Sequence, residues 1–126
     1  SAASPEADLT LIANIIYMVN VQNTQTLIVT LPASPQTGDV VRMIDVGGNL
    51  KYDTTLVLRT PETSGTPIQG DSTGTLFGDR LTPYPSGELV VQTPNAAFAL
   101  IYLGSTDSND QIGIPTSVQG WWLMEV

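Results

Sequence analysis

The alternation of hydrophobic and polar residues predicts short β-strands along most of the chain. Residues 54–60 are typical, because Leu56 and Leu58 point to one side and most of the polar residues to the other. Residues 9–21 also fit one face of a helix, but their Ile and Val content favours a strand that breaks near Asn14. The other predicted strands are 26–31, 40–46, 88–93, 97–103 and 120–126, with short strands or buried anchors at 67–70 and 75–77.

Residues 31–49 are the feature around which the predicted strands are arranged. Pro32 and Pro35 fix the backbone angle φ and donate no hydrogen bond, so they end the strand before them. Residues 40–46 are rich in β-branched side chains, and the glycines of residues 47–49 suit a tight turn. This order predicts a hairpin of strand, turn and strand.

The apolar residues of 97–103 and the number of predicted strands indicate the fold class. Residues 97–103 are apolar on both faces, which predicts a central strand covered on both sides. Loops are expected at 61–87 and 104–120. With seven to eight short strands and no convincing helix, the sequence predicts an all-β fold, either an antiparallel sandwich or a small barrel. A flexible lead-in at residues 1–8 precedes a single β-domain at residues 9–126.

Charge and hydropathy exclude two classes of partner. The 126-residue chain has a net charge of −8, and its cationic residues are few and scattered, which argues against nucleic-acid binding. They are Arg42, Lys51, Arg59 and Arg80. The most apolar run, residues 9–21, is well short of the ~20 residues that span a bilayer, so no membrane association is expected.

The composition also argues against catalysis. The chain has no cysteine and no histidine, which removes thiolate chemistry, the Ser-His-Asp triad and histidine-ligated zinc. Asp39 and Asp45 lie too far apart for a glycosidase pair, and their places at turn edges indicate structural capping. The glycines at 47–48 and 70–74 match no phosphate-binding motif. We therefore expect a non-enzymatic protein with no catalytic residue and no cofactor.

Two acidic residues are the candidates for a metal site. Asp107 and Asp110 bracket a short polar loop that offers oxygen ligands of the kind Ca²⁺ prefers. The loop lacks the length and the terminal Glu of an EF-hand. A solvated loop without metal is the favoured interpretation.

Aromatic residues are the candidates for an interface or a glycan-binding surface. Trp121 and Trp122 are adjacent on a predicted strand, so their rings face opposite sides and one belongs to the core. The outward ring is expected at a protein contact or at the rim of the core. In the alternative, it stacks on a sugar together with Tyr84 or Tyr52.

An ordered set of short segments resembles a β-module that is repeated across tailed-phage virion proteins. The chain is similar to the β-domains of the baseplate wedge proteins and the long-tail-fibre connector of T-even phages, and to related tail-fibre modules. The similarity covers residues 16–126, and its segments are 17–20, 26–32, 38–45, 55–58, 68–70, 89–91, 99–102 and 120–123.

The resemblance implies a homotrimeric structural protein of the virion, in a tail fibre, baseplate or fibre-attachment protein, with other virion proteins as partners. Apolar residues left over on strand faces agree with trimerisation, since oligomers bury what a monomer leaves exposed. Residues 61–87 and 104–120 are longer than the family pattern and are expected to contact partners or receptors. The alternatives are a carbohydrate-binding module that recognises a host-surface glycan, and a capsid-decoration protein.

Overall fold

A computed structural model describes residues 9–61, 66–69, 87–104 and 120–125. The described residues form β-strands and no helix, which agrees with the expected all-β class. The strands are β1 (Leu9–Thr10), β2 (Ile15–Val19), β3 (Thr26–Thr30), β4 (Val40–Asp45), β5 (Thr55–Arg59), β6 (Ile68–Gln69), β7 (Glu88–Val91), β8 (Ala97–Leu103) and β9 (Gly120–Glu125). The predicted strand at 75–77 and the lead-in at 1–8 lie outside the described residues.

The strands form two open sheets with mixed strand directions. A four-stranded sheet has the order β1-β3-β5-β7, and a five-stranded sheet has the order β2-β4-β8-β9-β6. The pairs β1–β3, β3–β5, β2–β4 and β6–β9 are parallel, whereas β5–β7, β4–β8 and β8–β9 are antiparallel. The expectation of an antiparallel fold was therefore wrong for these pairs, and the described strands do not close into a barrel.

The parallel pairs arise because the first half of the chain alternates between the two sheets. Strands β1, β3 and β5 lie in the four-stranded sheet, and β2 and β4 lie in the other. Each return of the chain places a strand beside the previous strand of the same sheet and in the same direction. The hairpin predicted within residues 31–49 was therefore wrong, although both of its strands exist. Their connection is longer than the roughly two to five residues of a hairpin loop, which lets the chain cross to the other sheet.

The predicted break near Asn14 is confirmed and separates β1 from β2. Asn14 has a φ of 68°, a left-handed conformation that Asn tolerates better than most residues. Its side-chain oxygen accepts a hydrogen bond from the backbone N–H of Val40 at 3.1 Å. The break thus joins the start of β2 to the start of β4 while it turns the chain from one sheet to the other.

One hydrophobic cluster draws residues from both sheets. Leu56 and Leu58 are fully buried in this cluster, which confirms the prediction that their side chains point to the same side of β5. Strand β8 is central in its sheet, as predicted, and Leu100 is fully buried, but the predicted cover on both faces is incomplete because Ala97 is exposed. The other members are Leu11, Val19, Val21, Val29, Leu31, Val41, Met43, Leu50, Ile68, Leu89, Val91, Ala96, Phe98 and Trp121.

The side of the four-stranded sheet that points away from this cluster is covered at β5 and β7, whereas Ile28 on β3 is half-buried. Val57 and Val90 lie opposite each other in the β5–β7 ladder and are only 7% and 1% exposed. They alternate with the residues that enter the hydrophobic cluster, so their side chains point to the side of the four-stranded sheet that faces away from it. Next to them, Arg59 donates to Glu88 through Nε at 2.9 Å, and the Arg59 Nη2 atom lies 2.7 Å from the same carboxylate.

The two aspartates predicted to cap turns do so. Asp39 accepts a hydrogen bond from the backbone N–H of Gln36 at 2.9 Å. Asp45 is buried, and its two carboxylate oxygens accept from the backbone N–H groups of Gly48 at 3.2 Å and Asn95 at 3.0 Å. Asp45 thereby ties the turn after β4 to the connection between β7 and β8. Each aspartate is used in structure, as the sequence indicated.

Candidate interaction surface

The outward face of the five-stranded sheet is almost entirely apolar. The register of β2, β4, β8 and β9 aligns the residues that point away from the core into rows across the sheet. We call these residues the outer face. In rows, they are Ile16, Arg42, Ala99 and Met124; Met18, Ile44 and Ala97; and Val40, Ile101 and Trp122.

The most exposed large side chains of the outer face lie on β2, whereas Ala99 on the central strand β8 is only 1% exposed. Met18 is 72% exposed, Ile16 is 57% exposed and Ile44 is 37% exposed, whereas Ile101, Trp122 and Met124 are half-buried. At the usual strand spacing and rise, the face measures about 400 Å². An apolar patch of roughly 300–600 Å² is as large as those on typical monomers and is often functional.

Charge distinguishes the outer face from the rest of the protein. Arg42 is its one charged residue among those that the structure describes, and it forms no ion pair with any of them. The outer face as described holds no carboxylate, although the whole chain has a net charge of −8. Two copies of an acidic protein repel each other least where they meet through a surface without acidic groups.

The other cations lie away from the outer face or beyond the described residues. Arg59 forms an ion pair with Glu88 on the four-stranded sheet. The Nζ atom of Lys51 lies 4.0 Å from Oδ1 of Asp53 in the turn before β5. Arg80 lies outside the described residues. The described cations therefore form no shared basic surface.

The two tryptophans face opposite sides of β9, as predicted. Trp121 is 1% exposed and packs edge-to-face on Tyr102, with ring centroids 5.4 Å apart. It belongs to the core and is unavailable to a ligand. Trp122 lies on the outer face, half-buried beside Ile101.

The structure does not bring Trp122 and Tyr52 together. Tyr52 is 83% exposed, and its carbonyl accepts from the side chain of Gln92 at 3.2 Å, which places it beside the end of β7. Residues 92–96 lead from there to the start of β8, whereas Trp122 lies opposite Ile101 in the second half of β8. Tyr52 lies in the turn before β5 and Trp122 lies on β9 of the five-stranded sheet, so the two aromatic residues form no common stacking surface. Tyr84 lies outside the described residues.

Two further expectations from the sequence concern a metal site and a membrane-spanning segment. Asp107 and Asp110 lie outside the described residues. Within the described ranges, no group of three or more His, Cys, Asp or Glu side chains is placed to hold a metal ion. No helix that could cross a bilayer occurs in that part of the chain either.

Sequence reasoning identified Trp121 and Trp122 as a pair of which one ring faces outward, but it missed the rest of the outer face. Residues 15–19 are apolar at nearly every position, and this was the available signal. Which of them face water depends on the edge position of β2, and that position follows from long-range pairing. Comparison of the sequence with protein-family models and with curated proteins finds no match.

Proposed function

We propose that the chain is a non-enzymatic structural module of a tailed-phage virion that assembles as a homotrimer. It belongs in a tail fibre, a baseplate or a fibre-attachment protein, with other virion proteins as its neighbours. The outer face of the five-stranded sheet is the contact surface between copies.

The observation that carries this proposal is the exposure of Ile16, Met18 and Ile44 on one face that holds a single charge among its described residues. Burying apolar surface stabilises an assembly by about 25 cal/mol per Å² of area removed from water. A closed homo-oligomer removes such a surface from water without requiring a different partner.

We also infer that the two sheets pack face to face as a β-sandwich. The shared cluster supports this architecture, because Leu56 and Leu58 of one sheet and Phe98 and Leu100 of the other belong to it. Sheets packed in this way lie about 10 Å apart, and side chains of the two inner faces interdigitate. The outward-facing residues of each sheet are then left to contact solvent or a partner.

The virion setting of the proposal comes from the resemblance to phage β-modules. The absence of histidine and cysteine from the chain supports a structural role, because the usual activating groups for a nucleophile are missing. The separation of Trp122 and Tyr52 gives no support to a glycan platform built from these two residues. A capsid-decoration protein would share the trimer and differ in its place on the particle.

Sedimentation equilibrium of the purified chain tests the trimer, with Ala97→Asp as the variant. Ala97 is exposed on the outer face, so a carboxylate there leaves the fold intact but loses its hydration when a contact between copies buries it. We expect a mass that is a multiple of three chains for the unmodified protein and loss of that assembly in Ala97→Asp. A monomer at all micromolar concentrations contradicts the trimer.

Immunogold labelling of phage particles separates the positions that the trimer would occupy. Label on the tail supports the proposed role, and label on the head supports a decoration protein. Glycan binding by the unmodified protein that is lost in Trp122→Ala supports the carbohydrate-binding alternative.

A further inference from the structure

Strand β2 is an unprotected edge of the five-stranded sheet. In the described residues, β4 is the one strand that pairs with it. Native edge strands are commonly protected by Lys, Pro or an inward-pointing charge, and residues 15–19 contain none of these. Ile16 and Met18 are among the most exposed apolar residues that the structure describes.

The direction of the β2 backbone shows which of its polar groups are open. The carbonyl of Val19 accepts from the N–H of Val46 at 3.0 Å, so the backbone groups of Val19 point towards β4 and its continuation. Backbone N–H and C=O groups alternate in direction along a strand. Those of Ile15 and Tyr17 therefore point the same way as Val19, and those of Ile16 and Met18 point outward.

These open groups match a second copy of the same strand. If two β2 strands lie antiparallel with Tyr17 opposite the partner's Tyr17, then Ile16 lies opposite the partner's Met18. Residues opposite each other in this way exchange two hydrogen bonds. The two equivalent pairs use every outward N–H and C=O group of Ile16 and Met18, and their side chains meet on the outer face.

Charge favours a second copy of this chain as the occupant of the edge. Residues 9–38 contain no charged residue, so pairing of two β2 strands places no like charges opposite each other although each chain has a net charge of −8. The edge also offers no charge by which a different acidic or basic protein would be selected.

We propose that two copies of this chain pair through their β2 edges, antiparallel and about a two-fold axis at Tyr17. This contact goes beyond the proposed trimer and adds a second kind of contact between copies. The paired edge is about 17 Å long at the usual rise per residue. It buries less than the roughly 800 Å² per partner of a standard interface, so we expect a weak pairing that depends on chain concentration.

Amide hydrogen exchange of the unmodified protein at increasing concentration tests the pairing residue by residue. In the dilute protein, the N–H groups of Tyr17 and Val19 are protected by β4, and those of Ile16 and Met18 exchange fast. We expect protection of Ile16 and Met18 to rise at least tenfold with concentration. Exchange at these two positions that stays equally fast at every concentration overturns the proposal.

Sedimentation equilibrium of Met18→Pro provides an independent test. Proline removes the outward N–H, which β4 does not use, and is tolerated in edge strands. Met18→Ala is the matched control, because it keeps that N–H and removes most of the side chain. We expect Met18→Pro, with an unchanged circular dichroism spectrum, to form an assembly of half the mass of the one that Met18→Ala forms.

The same masses separate this inference from the trimer. Six chains that become three in Met18→Pro support both contacts, and two chains that become one support the β2 pairing alone. Three chains that remain three in Met18→Pro overturn the pairing and leave the trimer in place.

Discussion

The two sheets differ in how far the apolar residues that point away from the hydrophobic cluster are covered. On the four-stranded sheet, Val57 and Val90 are 7% and 1% exposed, so the chain itself covers them. On the five-stranded sheet, Ile16 and Met18 are 57% and 72% exposed. The hydrophobic effect acts equally on both faces. The proposed assembly accounts for this difference, because Val57 and Val90 are covered within the chain whereas Ile16 and Met18 would be covered by a neighbouring copy.

The largest effect is expected from a charge placed on the inner side of the five-stranded sheet. Leu100 is fully buried, and Leu100→Asp places a carboxylate among apolar side chains without a partner. The cost of burying a charge exceeds the roughly 5–15 kcal/mol that stabilises a domain, unless the group neutralises or the fold opens. We expect loss of the β-sheet circular dichroism spectrum.

Ala97→Asp is the control for this variant, because it places the same carboxylate on the same strand but on the exposed outer face. It is expected to fold. A soluble Leu100→Asp protein with the unmodified spectrum would show that the inner and outer sides of β8 are assigned wrongly.

A smaller effect is expected when one apolar residue on each outer face is shortened. Val90→Ala removes buried methyl groups and is expected to lower the free energy of unfolding by about 2 kcal/mol. Met18→Ala shortens an exposed side chain and is expected to change the free energy of unfolding by less than about 0.5 kcal/mol in dilute protein. Urea denaturation at low chain concentration measures both. Equal decreases in the free energy of unfolding of the two variants would contradict the proposed difference between the two sheets.

Local pattern was sufficient to predict the strands and the sides to which their residues point. Leu56 and Leu58 share the core side, and the chain breaks at Asn14, because alternation and backbone preference are properties of short segments. Strand pairing is decided between distant segments. Nothing within residues 31–49 indicates that β3 and β4 enter different sheets, so the predicted hairpin and the antiparallel arrangement were wrong.

The candidate surface could be predicted from the sequence only in part. Adjacent positions put Trp121 and Trp122 on opposite sides of β9, but which ring enters the core depends on the sheet that packs behind the strand. The exposure of Ile16 and Met18 likewise follows from the edge position of β2. Alternation alone does not distinguish an apolar face that covers the core from one that is open to a partner.

Thiol labelling measures the coverage of the outer face most directly. The chain has no cysteine, so a single Ala97→Cys substitution reports on that face without background. Tyr52→Cys is the control, because Tyr52 is 83% exposed and lies away from the outer face. At concentrations where the protein is assembled, we predict that the thiol at position 97 reacts at least tenfold more slowly than the thiol at position 52, and that dilution removes the difference. Equal labelling rates in the assembled protein would contradict the burial of this face between copies.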